Sequence, residues 1–248
     1  MNGDHLVFTG DLINKGPDSA GVVEMARELG ASCVRGNHED RILLLRNEMI
    51  ATKTFLEEED IGKNLYSERQ LNERALARTL SEEQANWLYN CPVILDVGQV
   101  PGMGQVVVVH GGVVPGVELE KQDPSLVMTM RTIDMDTHVP SASSEGLNWA
   151  KVSSTDLNAT LGDANYKKLY DKHQTILEKS LKATSDDPRS ELMTVIYGHD
   201  AKTSLKIRTY TKGLDSGCVK GGKLTAFVIE EDGKQEIVQV KCHKHSKD

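Results

Sequence analysis

The stretch Phe8-Thr9-Gly10-Asp11-Leu12-Ile13-Asn14-Lys15-Gly16-Pro17-Asp18-Ser19 decides the fold of this chain. It joins an apolar run, predicted to be a strand, to a turn, and Pro17-Asp18-Ser19 is typical of a helix start. Apolar residues at helical spacing then continue as far as Leu29. Open α/β sheets bind ligands at the carboxyl ends of their strands, so Asp11 is the first candidate for chemistry.

The same pattern of strand, polar loop and helix follows at once. Ser32–Arg35 is a second predicted strand, Gly36-Asn37-His38-Glu39-Asp40 is its exit loop, and Ile42–Met49 is the next helix. Two consecutive units of this kind predict parallel strands with both exit loops at one edge of the sheet. Asp11 and Asn37 should therefore be neighbours in space.

Two later apolar runs end in the same way. Gln105–Val109 forms a predicted hairpin with Val93–Val97 and leads into His110-Gly111-Gly112, and Met193–Tyr197 leads into Gly198-His199-Asp200. Taken singly, a strand-end aspartate can cap a turn and a histidine can belong to the core. Ligand-type residues at four strand exits instead predict a metal site, and this mixture suits Zn²⁺, Mn²⁺ or Fe²⁺ better than Mg²⁺ or Ca²⁺. The predicted ligands are Asp11, Asn37, His110 and His199.

The other stretches give weaker signals. The charged residues 54–80 indicate exposed helix and loop, and a helix is predicted from Ser81 to about Cys91. Helices are also predicted at Leu126–Ile133 and Tyr166–Lys182. Strands are predicted at Lys206–Tyr210, Gly213–Cys218, Lys223–Ile229 and Glu236–Lys241.

Composition excludes several classes of protein. The 248 residues are 38% hydrophobic and 27% charged, which is typical of a globular protein. A formal net charge of −8 and an aromatic content of 4% speak against binding to nucleic-acid polymers. No apolar run reaches the roughly 18 residues that would predict a membrane segment. The four cysteines are spread singly, which predicts reduced thiols.

The four exits carry a resemblance to a known family. Gly10–Gly16, Gly36–Glu39, His110–Gly112 and Gly198-His199 resemble the ordered motifs of calcineurin-like metallophosphoesterases. Within that family the chain is most similar to the ApaH-like branch of the phosphoprotein-phosphatase group, which includes diadenosine tetraphosphatases and fungal endopolyphosphatases. The features that support this branch are Lys15–Ser19, Met130-Arg131, Tyr197–Asp200, Leu214–Val219 and Gly221–Thr225.

The resemblance implies a fold and a reaction. The fold would be α/β, a four-layer α-β-β-α sandwich of two mixed sheets, in a single domain over residues 1–248 with helical and loop insertions at 54–80 and 117–190. The family site holds two divalent metals (Mn, Zn, Fe or Co), and a metal-bound hydroxide attacks phosphorus.

Residue roles follow from the same resemblance. Asp11 would bridge the metals, and Asn37, His110 and His199 would hold the second of them. His38 would be the general acid, with Asp40, Glu39 or a backbone carbonyl as candidates to orient it. Lys15 and Arg131 would bind phosphate oxygens, although either could be an ordinary surface residue.

The sequence departs from the family in two places. The Gly-Asp-x-His motif that normally opens the family is absent, and Gly3-Asp4-His5 does not match it. The sequence is thus expected to be incomplete at its N-terminus, to lack the first central strand and to hold as few as one metal. Asn14 stands where phosphoprotein phosphatases usually carry aspartate, and an amide cannot stabilise a protonated His38 as a carboxylate would.

These observations support a metal-dependent hydrolase of phosphoric esters or anhydrides, with polyphosphate or a dinucleoside polyphosphate as substrate. The alternatives are a serine/threonine protein phosphatase and, from another class, a non-catalytic remnant that binds phosphate or metal. Oligomeric state is left open. The location is also open: cytoplasmic for the sequence as written, and vacuolar if a further N-terminal segment exists.

Overall fold

The computed structural model describes residues 3–55, 66–115, 117–134, 137, 139–152, 193–202 and 204–245. Packing of the backbone divides the chain into two compact units, Met1–Pro92 and Val93–Asp248. Both contain helices and strands, which confirms the predicted mixed α/β class; the single domain stays a prediction. Within the described ranges, no helix is long and apolar enough to cross a membrane.

The described part of the first unit combines a pair of short parallel strands with helices. Its elements are β1 (Val7–Phe8), α1 (Ser19–Glu28), β2 (Ser32–Cys33), α2 (Asn37–Ala51), α3 (Glu68–Thr79) and α4 (Glu82–Tyr89). Val7 pairs with Ser32 and Phe8 with Cys33 in parallel register, as predicted. The core contains Ile13, Val23, Ile42, Leu43, Met49, Leu80 and Leu88.

Helix starts in this unit follow the capping residues in the sequence. The Asp18 carboxylate accepts the Gly21 N–H at 2.8 Å and begins α1, and Ser81 begins α4 at the predicted place. The predicted start of α2 at Ile42 was wrong, because the helix already begins at Asn37 with Gly36 as its N-cap. Asn37 and the following His38 therefore occupy the first helical turn instead of a loop.

The second unit is built mainly from strands. Its elements are β3 (Ile94–Val100), β4 (Gly104–Val109), a 3-10 helix (Leu119–Lys121), α5 (Pro124–Thr129), β5 (Thr132–Ile133), β6 (Pro140–Ser141), β7 (Leu147–Asn148), α6 (Trp149–Val152), β8 (Met193–Tyr197), β9 (Lys206–Ile207), β10 (Thr211–Gly213), β11 (Lys223–Ile229) and β12 (Gln235–Lys241). The main sheet has the order β3-β4-β8-β10-β9, beside a three-stranded sheet β6-β5-β7 and the hairpin β11-β12.

The pairing of β4 with β8 positions the two histidine-bearing exits. These strands are parallel, with Val107 opposite Val195 and Val108 opposite Ile196. Parallel neighbours end at the same edge, so the residues after Val109 and after Tyr197 emerge side by side. The sheet packs on a core that includes Val107, Val109, Val127, Ile133, Trp149, Val195 and Tyr197.

Several boundary predictions in this unit were wrong. The predicted helix Leu126–Ile133 ends at Thr129, because the β-branched Thr132 and Ile133 form strand β5. Gly213–Cys218 is not a strand: β10 ends at Gly213, and Gly217 follows in a turn at φ 73°. The strand Lys223–Ile229 is confirmed, and the predicted helix Tyr166–Lys182 lies outside the described residues.

The prediction of reduced thiols was wrong. Cys33 is bonded to Cys91 and Cys218 to Cys242, with 5.2 Å between the Cα atoms in each pair. The partners are 58 and 24 residues apart in sequence, so no local spacing signals the pairing. The fold supplies that information, since β2 ends at Cys33 beside the residues that follow α4.

Candidate active site

The loop after β1 places Asp11 in an unusual backbone conformation. Asp11 has φ 56° and Asn14 has φ 79°, both in the left-handed region that non-glycine residues rarely adopt. The Asp11 Oδ1 atom accepts the backbone N–H of His38 at 3.1 Å. A Cβ atom on Gly36 would lie 2.3 Å from the same oxygen, so the sequence needs glycine there. The two strand exits of this unit therefore meet, as predicted.

His38 has an identified side-chain partner. Its Nδ1 atom lies 2.8 Å from the amide nitrogen of Asn14, and its Nε2 atom lies 3.8 Å from Asp11 Oδ2. Of the groups that the sequence offers to orient this ring, the structure selects Asn14, whose amide stands where the relatives usually carry aspartate, and not Asp40 or Glu39. The side chain is 15% exposed, so the ring is positioned but accessible.

Glu39 contacts the backbone on both sides of this junction. Its side chain is fully buried, and Oε2 accepts the N–H groups of Gly36 at 2.9 Å and Asp11 at 2.8 Å. Oε1 accepts the N–H of Ile13 at 3.2 Å. Glu39 therefore joins the loop after β1 to the beginning of α2.

The side-chain oxygen of Asn37 is a buried hydrogen-bond acceptor that the described residues leave unsatisfied. Its Oδ1 atom is buried and finds no hydrogen-bond partner among the described residues. A buried acceptor left unsatisfied costs free energy, and such an atom needs an explanation. Because amide oxygens bind divalent cations, the orphaned oxygen fits the predicted role of Asn37 as a metal ligand.

The second unit brings two imidazoles together. His110, which follows β4, is 1% exposed, and its Nε2 atom lies 3.1 Å from His199 Nδ1. His199 has φ 68°, and its Nε2 atom lies 3.0 Å from the carbonyl oxygen of Thr129. A carbonyl only accepts, so Nε2 carries a proton and a neutral ring keeps the Nδ1 lone pair directed towards His110. Two converging imidazole nitrogens suit a borderline cation such as Zn²⁺.

An aromatic residue that sequence reasoning did not select supports the His110 loop. The Trp149 indole N–H donates to the carbonyl of Gly111 at 2.9 Å, and the indole packs edge-to-face on Tyr197 with 4.9 Å between ring centroids. A Cβ atom on Gly112 would lie 2.4 Å from the indole ring. The glycines after His110 thus allow the loop to lie directly on Trp149.

The two predicted phosphate-binding residues occupy different settings. Lys15 is exposed on the turn that precedes α1. Arg131 is half-buried before β5 and donates from Nη1 to the carbonyl of Ala142 at 2.8 Å. Their roles toward substrate stay predictions.

Comparison with known proteins identifies the family. The family model described as calcineurin-like phosphoesterase matches residues 1–203, and the chain belongs to that family of metal-dependent phosphoester hydrolases. It is similar to the zinc-dependent endopolyphosphatase of Saccharomyces cerevisiae, with 26% identity over 96% of this chain and 72% of the relative. It is also 26% identical to a symmetrical bis(5'-nucleosyl)-tetraphosphatase of Janthinobacterium sp., over 98% of this chain and 87% of the relative.

A solved structure agrees with these relatives. The crystal structure of a proposed diadenosine tetraphosphatase superimposes with a TM-score of 0.64 and 27% identity, covering 97% of this chain and 81% of the other. The resemblance to the ApaH-like branch, the fold class and the hydrolase class are thereby confirmed. Membership of the family implies divalent metals.

Proposed function

We propose that this enzyme hydrolyses phosphoanhydride bonds in inorganic polyphosphate or in dinucleoside polyphosphates. The observation that carries the proposal is the junction of the first unit, where Asp11, Asn37 and an oriented His38 share the two strand exits. The relatives named for endopolyphosphatase and tetraphosphatase activity match over nearly the whole chain, which supports the same bond as the target.

Four side chains would hold the divalent metals: Asp11, Asn37, His110 and His199. The orphaned Oδ1 of Asn37 and the Nδ1 lone pair of His199 both fit this role. When bound, such metals draw charge from a phosphoryl group and lower the pKa of a coordinated water. Elemental analysis of the purified chain would show whether it holds one ion or two.

His38 would protonate the oxygen that leaves phosphorus. The ring that gives the proton carries one on each nitrogen, so the Asn14 amide, turned to present its oxygen, would accept Nδ1–H and Nε2 would give the transferred proton. A neutral amide holds the ring without stabilising its charged form as a carboxylate would. The leaving group of a phosphoanhydride is itself a phosphate, which needs less help from an acid than the alkoxide of serine does. The Asn14–His38 pair therefore favours anhydrides over phosphoserine.

Lys15 and Arg131 would bind the remaining phosphate oxygens of the substrate. Lys15 lies four residues after Asp11 and is exposed, so its ammonium group is accessible to a polyanion. The guanidinium of Arg131 is anchored through Nη1 to Ala142, which fixes its direction.

Product analysis with three substrates tests the proposal: shortening of long-chain polyphosphate, nucleotide products from diadenosine tetraphosphate, and phosphate release from a phosphoserine peptide, each with Mn²⁺, Zn²⁺ or Co²⁺. We expect turnover of at least one anhydride well above that of the peptide. A folded, metal-loaded chain that prefers the peptide would be a protein phosphatase. One that cleaves nothing would support the non-catalytic alternative, and either result would refute the proposal.

The disulfides bear on where the enzyme works. Bonds such as Cys33–Cys91 and Cys218–Cys242 persist in oxidising compartments and are rare in the cytosol. We therefore propose that the enzyme works in an oxidising compartment. This favours the vacuolar location over the cytoplasmic one. Trapping of thiols in protein taken directly from cells tests this, since four labelled cysteines would contradict it.

A further inference from the structure

Glu39 has more backbone partners than the start of a helix requires. A glutamate at the third position of a helix commonly accepts the N–H of the N-cap residue, here Gly36, as half of a capping box. The same carboxylate also accepts the N–H groups of Asp11 and Ile13, which belong to a different loop. Capping of α2 does not account for these two additional bonds.

The burial of this carboxylate makes the arrangement costly to disturb. Glu39 is fully buried, and a buried carboxylate is tolerated where hydrogen bonds replace its hydration. Three backbone N–H groups at 2.8 to 3.2 Å provide that replacement. Removing the charge would leave backbone donors of two different segments without their acceptor.

The contacts between the two segments are reciprocal. Glu39 on α2 accepts N–H groups from the Asp11 loop, while Asp11 Oδ1 accepts the N–H of His38 on α2. Asp11 has φ 56°, and a residue in this region persists where its surroundings fix it. The backbone N–H of Asp11 donates to Glu39, so the Glu39 carboxylate stabilises the left-handed backbone conformation of Asp11.

We propose that Glu39 is a positioning residue for Asp11. By holding the backbone of residues 11 and 13, it sets the direction of the Asp11 carboxylate before any metal binds. This inference rests on the proposed function, because it takes the Asp11 carboxylate to be a metal ligand. Outer partners that orient a metal ligand are typically worth 10- to 100-fold in metal affinity.

The test compares Glu39→Gln with wild type in titrations with Mn²⁺ alone, followed by calorimetry or electron paramagnetic resonance. Glutamine keeps the volume and one acceptor oxygen but directs an NH₂ group at a backbone donor. We expect Mn²⁺ affinity to fall about 10- to 100-fold. Far-ultraviolet circular dichroism should stay unchanged. Excess Mn²⁺ should then restore part of the lost turnover, which a loss of folded protein would not allow.

Matched variants separate positioning from general effects. Glu48→Gln makes the same change at an exposed position of α2 and should leave Mn²⁺ affinity unchanged. Glu39→Asp keeps the charge but shortens the reach, so it should resemble Glu39→Gln. A folded Glu39→Gln protein with wild-type Mn²⁺ affinity would overturn the inference. A wild-type chain that binds Mn²⁺ but cleaves no substrate would refute the proposed function and leave this comparison intact.

Discussion

The two units hold their candidate ligands by different physical means. In the first unit, β1 and β2 are two residues long, and side chain to backbone hydrogen bonds centred on Glu39 fix the exits. In the second unit, His110 and His199 leave adjacent strands of a five-stranded sheet, and the buried Trp149 supports the loop between β4 and α5. A polar network orients the candidate ligands in the first unit, whereas apolar packing orients them in the second.

This difference has a consequence for variants. Hydrogen-bond networks are directional, so a change of one atom in the first unit should alter chemistry while much of the packing survives. Apolar packing is cooperative, so a change in the second unit should lower the stability of the whole unit before it alters chemistry. The variants below test this contrast.

The largest effect is expected from His38→Ala. Loss of a general acid typically lowers kcat by about 10²- to 10⁴-fold, and metal binding should be retained because the predicted ligands are untouched. Steady-state turnover of polyphosphate at saturating Mn²⁺ measures this. His5→Ala, at an exposed histidine that bonds Ser32, is the control and should keep wild-type turnover. Full activity of His38→Ala would remove His38 from the reaction.

Trp149→Ala should destabilise the second unit. Removing a fully buried tryptophan costs about 3–5 kcal/mol in unfolding free energy, since it leaves a cavity and an unpaired Gly111 carbonyl. Urea denaturation measures this loss. Trp149→Phe should recover much of the packing but not the hydrogen bond. If Trp149→Ala retains wild-type stability, the role of the indole as a packed support is wrong.

The disulfides should differ in their contributions. In the chain-entropy description, closing 58 residues through Cys33–Cys91 stabilises by about 0.8 kcal/mol more than closing 24 residues through Cys218–Cys242. Each bond should contribute about 2–4 kcal/mol in total. Both cysteines of one disulfide are replaced by alanine at a time, and the free energy of unfolding in denaturant is compared between the two double variants. The larger loss identifies the disulfide that stabilises more. A larger loss for the Cys218–Cys242 pair would show that local packing outweighs loop length.

Asn14→Asp should have the smallest effect, and it sharpens the assignment of substrate. A carboxylate beside Nδ1 would favour the protonated ring, so the alkaline limb of the activity profile should move to higher pH. Turnover of a phosphoserine peptide should rise relative to that of polyphosphate, because the alkoxide needs the acid more. Asn14→Ser, which removes the amide without adding charge, is the control. An unchanged profile for Asn14→Asp would mean that this contact does not influence proton transfer.

The placement of most strand exits was readable from sequence because its signals are local. An apolar run that ends in a ligand-type residue next to glycine predicted the exits at Asp11, His110 and His199, and parallel pairing in each unit confirms the strand geometry. The first turn of α2 was missed because Gly36 provides no side-chain cap to mark the helix start.

The remaining features depend on contacts between distant residues. Glu39 resembles an ordinary acidic residue near a helix start, and its bonds to Asp11 and Ile13 span 28 and 26 residues. The pairing of Cys33 with Cys91 and the support of Gly111 by Trp149 are likewise set by the fold. Periodicity carries no information about such contacts, so the supporting residues could not be predicted, and the ligand roles of the residues at the strand exits stay predictions.

The left-handed backbone at Asp11, Asn14 and His199 suggests how this protein would respond to selection. Each such residue costs about 1–3 kcal/mol, and glycine would remove much of that cost. Under the proposed ligand roles of Asp11 and His199, a library screened for heat resistance alone should therefore enrich glycine at these two positions and yield more stable proteins that have lost turnover. Screening for turnover should restore aspartate and histidine there, so under the same proposal thermal stability and hydrolysis compete at these two positions.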